Sequence, residues 1–182
     1  MFQTSPPNIG IVHRVGYRRA MAAFDDPFRL RPLAPGDAPA VAALTRTAFA
    51  AQSVVTDPPP SALRVTADDV LAHLRKGGGA VVEAANGLAG SALWEEKEGG
   101  LYLARLAVAP TWRGRGIAKA LVAATAAAAR QAGLPRVHLS TRLVLLDNRR
   151  LFAACGFVET ERHAHPGYAE PTFVDMEKRL AS

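Results

Sequence analysis

In the stretch WRGRGIAKAL, residues 112–121, two arginines alternate with two glycines immediately before a run of good helix formers. Glycine has no Cβ and tolerates positive φ, so Gly114 and Gly116 allow the main chain to approach another group closely. A helix start leaves several backbone N–H groups without intrahelical partners, and the helix dipole adds roughly half a positive charge there. Such an end is suited to phosphates. Arg113 and Arg115 add planar, charge-assisted donors that match phosphate oxygens. Spacing then decides among the nucleotide motifs. A P-loop, GxxxxGK[ST], is absent. A dinucleotide fingerprint, GxGxxG, fails because Lys119 stands three residues after Gly116 and the preceding strand belongs to a meander. What remains is Arg113, two residues, Gly116, one residue and Ala118, with LAVAP directly upstream.

Other reactive side chains are sparse. The single cysteine, Cys155, excludes an intramolecular disulfide and fits a reducing compartment; it reads as a small buried apolar residue. His163 and His165 alternate onto one face of a strand, but together with Cys155 they match no zinc spacing. His138 reads as a sheet histidine with its hydrogen bonds satisfied.

The elements that must position these residues are legible as patterns. FRLRPL alternates like a short strand, and Asp37 offers an N-cap for a helix whose Val41, Leu44, Ala48 and Phe49 share a face. Thr66 and Asp69 predict a capping box that opens a short helix running through Leu74 and ending at Gly77 to Gly79. AVVEAA and LAGSALW flank Asn86-Gly87, a hairpin dipeptide in which both residues accept positive φ. LYLARLAVA completes an antiparallel meander, with Leu101, Leu103, Arg105 and Ala107 on one face and Tyr102, Ala104, Leu106 and Val108 on the other; Pro110 ends it. IAKALVAATAAAARQAG predicts a helix striped by Ile117, Leu121, Ala124 and Ala128 and terminated at Gly133. RVHLSTR reads as the next strand, which makes a right-handed βαβ unit. DNRRLFAAC predicts a helix running into Gly156 and Phe157, and two strands near FVETERH and TFVDMEKRL close the chain.

The 182 residues amount to about one domain. No stretch approaches the roughly 18 apolar residues needed to cross a bilayer, and the N-terminus lacks a secretory apolar core of about 7 to 15 residues. A cytoplasmic protein with no membrane partner is expected. The net charge of +6 favours anionic partners, but the basic residues are dispersed without aromatic interleaving, which argues against nucleic acid. Residues 1–27 show no sustained period and contain a second methionine, Met21, so they read as an N-terminal arm before a domain spanning 28–182.

With this element order, RLAVAPTWRGRGIAKAL resembles the acetyl-coenzyme A motif of the GNAT superfamily of N-acetyltransferases, in which an Arg or Gln, two residues, a Gly, one residue and a Gly or Ala wrap the pyrophosphate. NRRLFAACGF resembles the family's second motif, and the resemblance runs from about Phe28 to Leu180. It implies an α/β fold with a mixed, mostly antiparallel sheet of about six to seven strands, flanked by about four helices and splayed into a V at the acyl-CoA site. By the same resemblance, Leu106, Ala107 and Val108 offer main-chain groups to the pantetheine arm. Arg113, Gly114, Arg115, Gly116, Ile117, Ala118 and Lys119 hold the pyrophosphate, and Asn148 and Phe152 complete the cofactor site. The implied reaction moves an acetyl group from acetyl-CoA to a primary amine by direct attack on the thioester, with positioning supplying much of the rate and backbone donors stabilising the oxyanion.

The second motif departs from the family pattern. Counting back from Gly156, Phe152 stands where the family has a tyrosine that protonates the departing thiolate, Leu145 stands at the asparagine position, and Asn148 is displaced by three residues. This departure leaves open a non-catalytic acyl-CoA binding or regulatory module of the same fold. For the base that an amine acceptor requires, Glu95 and Glu96 at the end of the third core strand, just after LAGSALW, are candidates, and Tyr168 in HAHPGY is a candidate proton donor or substrate contact. The acceptor-choosing loops, around residues 50 to 66 and 163 to 172, carry no diagnostic pattern, and a homodimer is left open.

Overall fold

The computed structural model describes residues 28–181, so the arm expected over residues 1–27 lies outside the described residues. The elements run β1 (Arg29–Pro32), α1 (Ala38–Ala50), α2 (Ala67–Lys76), β2 (Gly77–Ala84), β3 (Gly87–Lys97), β4 (Gly100–Val108), α3 (Ile117–Gln131), β5 (Arg136–Arg142), α4 (Leu146–Ala154), β6 (Val158–His163) and β7 (Phe173–Arg179). The strands form one open sheet in the order β1-β2-β3-β4-β5-β7-β6. The β4–β5 neighbours are parallel and the other pairs antiparallel. This is the mixed, mostly antiparallel architecture that the sequence implied.

Each face of the sheet carries its own apolar layer. Val41 and Ala42 of α1 and Val70 of α2 pack with Val81 and Leu93 on one face. On the other, Ile117, Leu121 and Val122 of α3 and Phe152 of α4 pack with Leu101, Leu103, Val137 and Met176. Thr66 and Asp69 form the expected box: the Thr66 hydroxyl accepts from the Asp69 N–H at 3.2 Å while the Asp69 carboxylate accepts from the Thr66 N–H at 2.8 Å.

Two local expectations, the Asp37 cap and the position of the β2–β3 turn, are corrected, and one is extended. Asp37 makes no side-chain cap to α1; its carboxylate instead accepts from the Ala34 N–H and from Arg31, which outcompetes the helix end as a charged partner. The helix α2 ends at Gly77 as expected, with the Gly77 N–H donating to the His73 carbonyl, but Gly77 to Gly79 also begin β2 without an intervening loop. A Cβ on Gly77 would lie 2.1 Å from the Trp94 carbonyl oxygen and one on Gly79 2.6 Å from that of Ala92, so glycine permits the close pairing with β3. In the β2–β3 turn only Gly87 has positive φ, at 124°, and the turn sits one residue earlier than expected, on Ala85 and Asn86.

A further departure, an extra residue in β4, shapes the molecule. Leu93 pairs with Arg105 and Trp94 with Leu103, which leaves Ala104 as an extra residue in β4. Such a bulge shifts the side-chain phase of everything beyond it. Leu101 and Leu103 therefore share their apolar layer with Leu106 and Val108, whereas Ala107 packs on the opposite face against Leu44 and Ala48 of α1. Beyond this point the sheet also divides. β4 and β5 pair only at Leu101–Val137 and Tyr102–His138, while β5 stays paired to β7 as far as Arg142. The two parallel neighbours thus part into a V whose apex is at Tyr102 and His138.

Candidate active site

A cleft of about 1380 Å³ opens along this V, lined by β4 and β5, the first turn of α3, the end of α1 and one side of α4. At its α3 end, Gly114 and Gly116 have φ of 76° and 78°, a left-handed backbone that strains any other residue type. A Cβ at either would meet nothing within 4 Å. Gly116 is the N-cap and no side chain caps the helix, so first-turn amides of α3 are left for a ligand. Arg113, Gly114, Gly116, Ile117, Ala118 and Lys119 all border the cleft. Open space, uncapped N–H groups and cationic side chains together suit a diphosphate.

Both arginine side chains also have partners within the protein. The Arg113 fork reaches the end of α1, which also borders the cleft: Nη1 donates to the Ala51 carbonyl at 3.0 Å and Nη2 to that of Ala48 at 2.9 Å. It closes the carboxyl end of α1, whose last carbonyls lack intrahelical partners. Arg115 stacks its guanidinium 5.0 Å from the centre of the Trp112 ring, with a cation over an aromatic face. Neither geometry was readable from spacing: the Arg113 partners lie across the fold, and the stacking of Arg115 on Trp112 depends on how the turn between them folds.

Along β4, the Ala109 N–H donates to Ala89 at 2.9 Å. By antiparallel alternation Ala107 then turns its main-chain groups toward β3, and those of Leu106 and Val108 face the V. Asn148 and Phe152 border the cleft from α4. Phe152 is buried in the core layer with its ring edge-on to Phe157 at 5.8 Å, so no hydroxyl stands at this position.

Of the expected acid–base residues, Glu95 and Glu96 do not border the cleft. Glu95 instead lies close enough to His73 of α2 to influence its charge, yet burial dominates and holds the His73 imidazole below the usual histidine range. Tyr168 also stands off the cleft lining. A hydrogen bond to Asp57 pushes its phenol above the ordinary tyrosine value, and the pair links the loops around residues 50 to 66 and 163 to 172. Arg142 reinforces this link, donating to the Pro58 carbonyl at 2.8 Å and to His165 Nδ1 at 3.1 Å.

The structure brings together a group at the apex of the V that spacing along the chain did not reveal. Tyr102 of β4 approaches Ser140 of β5, Ser140 donates to Asp175 of β7 at 2.6 Å, and His163 of β6 meets the same carboxylate at 2.9 Å. His163 also stacks on Phe173 at 5.2 Å. The available signal was the register of the last strands, since Ser140 pairs with Asp175 and His163 with Phe173.

An acetyltransferase (GNAT) family model matches residues 47–157, more than half of the chain, and the protein belongs to that family. It is accordingly an acyl-CoA-dependent N-acetyltransferase with acetyl-CoA as cosubstrate. Solved structures share the fold at low identity. Nourseothricin acetyltransferase is 22% identical with a TM-score of 0.63, covering 85% of this chain and 99% of its own. The ribosomal-protein-S18-alanine N-acetyltransferase from Escherichia coli is 16% identical with a TM-score of 0.68, covering 86% and 96%. The Salmonella typhimurium protein yncA, solved with acetyl-CoA, is 16% identical with a TM-score of 0.68, covering 86% and 95%. A search of curated protein sequences finds no significant match. Among the described residues, no helix is long and apolar enough to cross a membrane.

Proposed function

We propose that this enzyme acetylates a primary amine by direct attack within the V. The observation that carries the reading is a continuous cleft running from the uncapped start of α3, past the β4 main chain, to a polar apex at Tyr102 and Ser140. The first-turn amides of α3, with Gly114, Gly116 and Lys119, hold the pyrophosphate. Leu106 and Val108 align the pantetheine arm as an added strand would lie. Phe152 and Asn148 flank it from α4. Bound acetyl-CoA supplies a thioester carbonyl that a neutral amine attacks, with the acetyl group passing to nitrogen and the thiol departing. Phe152 donates no proton, and none is essential: a thiol of pKa about 8.5 is a tolerable leaving group near neutral pH. The unpaired Cys155 fits a reducing, cytoplasmic setting.

The test combines acetyl-CoA titration with thiol release over spermidine, lysine, an alanine-initiated peptide and an aminoglycoside. Saturable binding with amine-dependent release is expected. Gly116→Glu places a side chain and a like charge in the phosphate cradle, and acetyl-CoA affinity should fall by about 100-fold or more, roughly 3 kcal/mol, with a cooperative melt retained. Unchanged affinity would refute the cradle, and binding without release for any amine would leave a binding module.

A further inference from the structure

We propose that Tyr102, Ser140 and Asp175 form a proton exit that carries the acceptor ammonium's proton from the apex of the V to solvent; the proposal rests on the amine-acetylation reading above. A primary alkylamine, of pKa about 10.4, is mostly protonated at pH 7 and cannot attack until it loses that proton. The carboxylates expected to take it, Glu95 and Glu96, do not face the cleft.

The geometry runs in one direction. Tyr102 and His138 are the last paired residues before β4 and β5 part, so the Tyr102 phenol sits where the V closes. Its hydroxyl donates to Ser140 Oγ at 3.5 Å, and Ser140 Oγ donates to Asp175 Oδ1 at 2.6 Å. The outer step is long, as catalytic hydrogen bonds commonly are before substrate arrives. Both hydrogens point toward the carboxylate, an acceptor only while ionised. A proton from the ammonium therefore joins Tyr102 Oη as that oxygen passes its own to Ser140, and Ser140 passes its own to Asp175. The amine is left neutral, both hydroxyls are restored and the carboxyl holds the proton. Asp175 is 39% exposed and can release it to water.

The surroundings fix the far end of this path. His163 Nε2 bonds the other Asp175 oxygen at 2.9 Å, with Glu161 3.9 Å from the same nitrogen. Thr160 of β6 donates to the Asp175 carbonyl at 3.2 Å. From β3, the Lys97 ammonium lies 4.9 Å from the centre of the Tyr102 ring, and its carbonyl engages His138 Nε2 at 3.0 Å. Glu98 borders the hollow beside Asp175, as do Arg136 and Glu177, which neutralise each other in an ion pair of 2.5 Å. Arg142, further along β5, is held by Pro58 and His165.

The experiment measures thiol release by the parent protein and by Ser140→Ala, Asp175→Asn and Tyr102→Phe across pH. It uses acetyl-CoA with the alkylamines above and with hydroxylamine, which is already neutral at pH 7. With alkylamines at pH 7, kcat should fall about 100-fold in S140A and D175N, while acetyl-CoA affinity is unchanged. The gap should close as pH rises toward the amine's own pKa, and hydroxylamine turnover should not change. An equal loss at every pH, a matching loss with hydroxylamine, or no loss at all overturns the exit. A parent protein that binds acetyl-CoA but turns over none of these amines overturns it too, while failure to bind acetyl-CoA would overturn the phosphate cradle as well.

Discussion

Phe152 stands where the motif resemblance implies a tyrosine, and the consequence is chemical more than structural. The ring keeps its packing against Phe157 and still borders the cleft, so what is lost is an O–H. Phe152→Tyr should leave acetyl-CoA affinity unchanged and raise turnover below pH 7. The gain should be about tenfold, less than general acid catalysis can give, because the thiol already departs tolerably without help. A pH–rate profile identical to that of the parent would show that thiolate departure does not limit the reaction. The helix start proposed as the cradle was legible in the sequence at this scale because its residues are neighbours in the chain: Gly114, Gly116 and Ala118 declare a helix start by composition alone. The Arg113 fork and the Ser140–Asp175 bond were not legible, since their partners are brought together only by tertiary register.

The elements themselves followed from local signals. β5 was readable end to end as RVHLSTR, the Thr66 box opens α2 where expected, and Gly133, with φ of 69°, ends α3. The Ala104 bulge was missed because an added residue leaves the apolar composition of β4 unchanged and alters only its phase. Yet the seating of α3, and with it the cradle, depends on sheet residues near that bulge. A Cβ on Gly90 of β3 would lie 2.6 Å from Ile117 Cγ2, 3.1 Å from Leu121 Cδ1 and 3.2 Å from the Ala107 carbonyl oxygen. Ile117 is the first residue of α3. Gly90→Ala should therefore lift the start of the helix, destabilising the fold by about 1–3 kcal/mol as an overpacked core does and weakening acetyl-CoA binding together with it. A melt and a titration both matching the parent would show that the helix start is not set by this contact.

For the whole molecule, the charges that hold distant segments together set a direction for its response to acid. Arg31 of β1 joins the Asp37 carboxylate before α1 at 2.6 Å and Glu83 of β2 at 2.7 Å; the Arg31 hydrogen bonds hold Asp37 below the usual aspartate range. Arg136 does the same for Glu177 across β5 and β7, and Arg149 for Glu159 between α4 and β6. Two histidines add to this in the same sense, because burial lowers His73 and His165 from the ordinary value. Every one of these folded-state values is depressed, so each contribution is complete above the unfolded pKa and is lost as pH falls through the folded one. Two windows follow. Stability begins to fall as pH drops beneath the ordinary histidine value of about 6.5, and falls again beneath the ordinary carboxylate range near 4. His73 should dominate the first window, since its Nε2 is buried without a hydrogen-bond partner and a proton there would go unshared. Thermal midpoints recorded from pH 8 to pH 3 should decline in these two steps, and His73→Gln should flatten the upper one while leaving the lower in place. A parent protein equally stable at pH 7 and pH 5, or an H73Q variant with the parent's slope across that interval, would contradict this assignment.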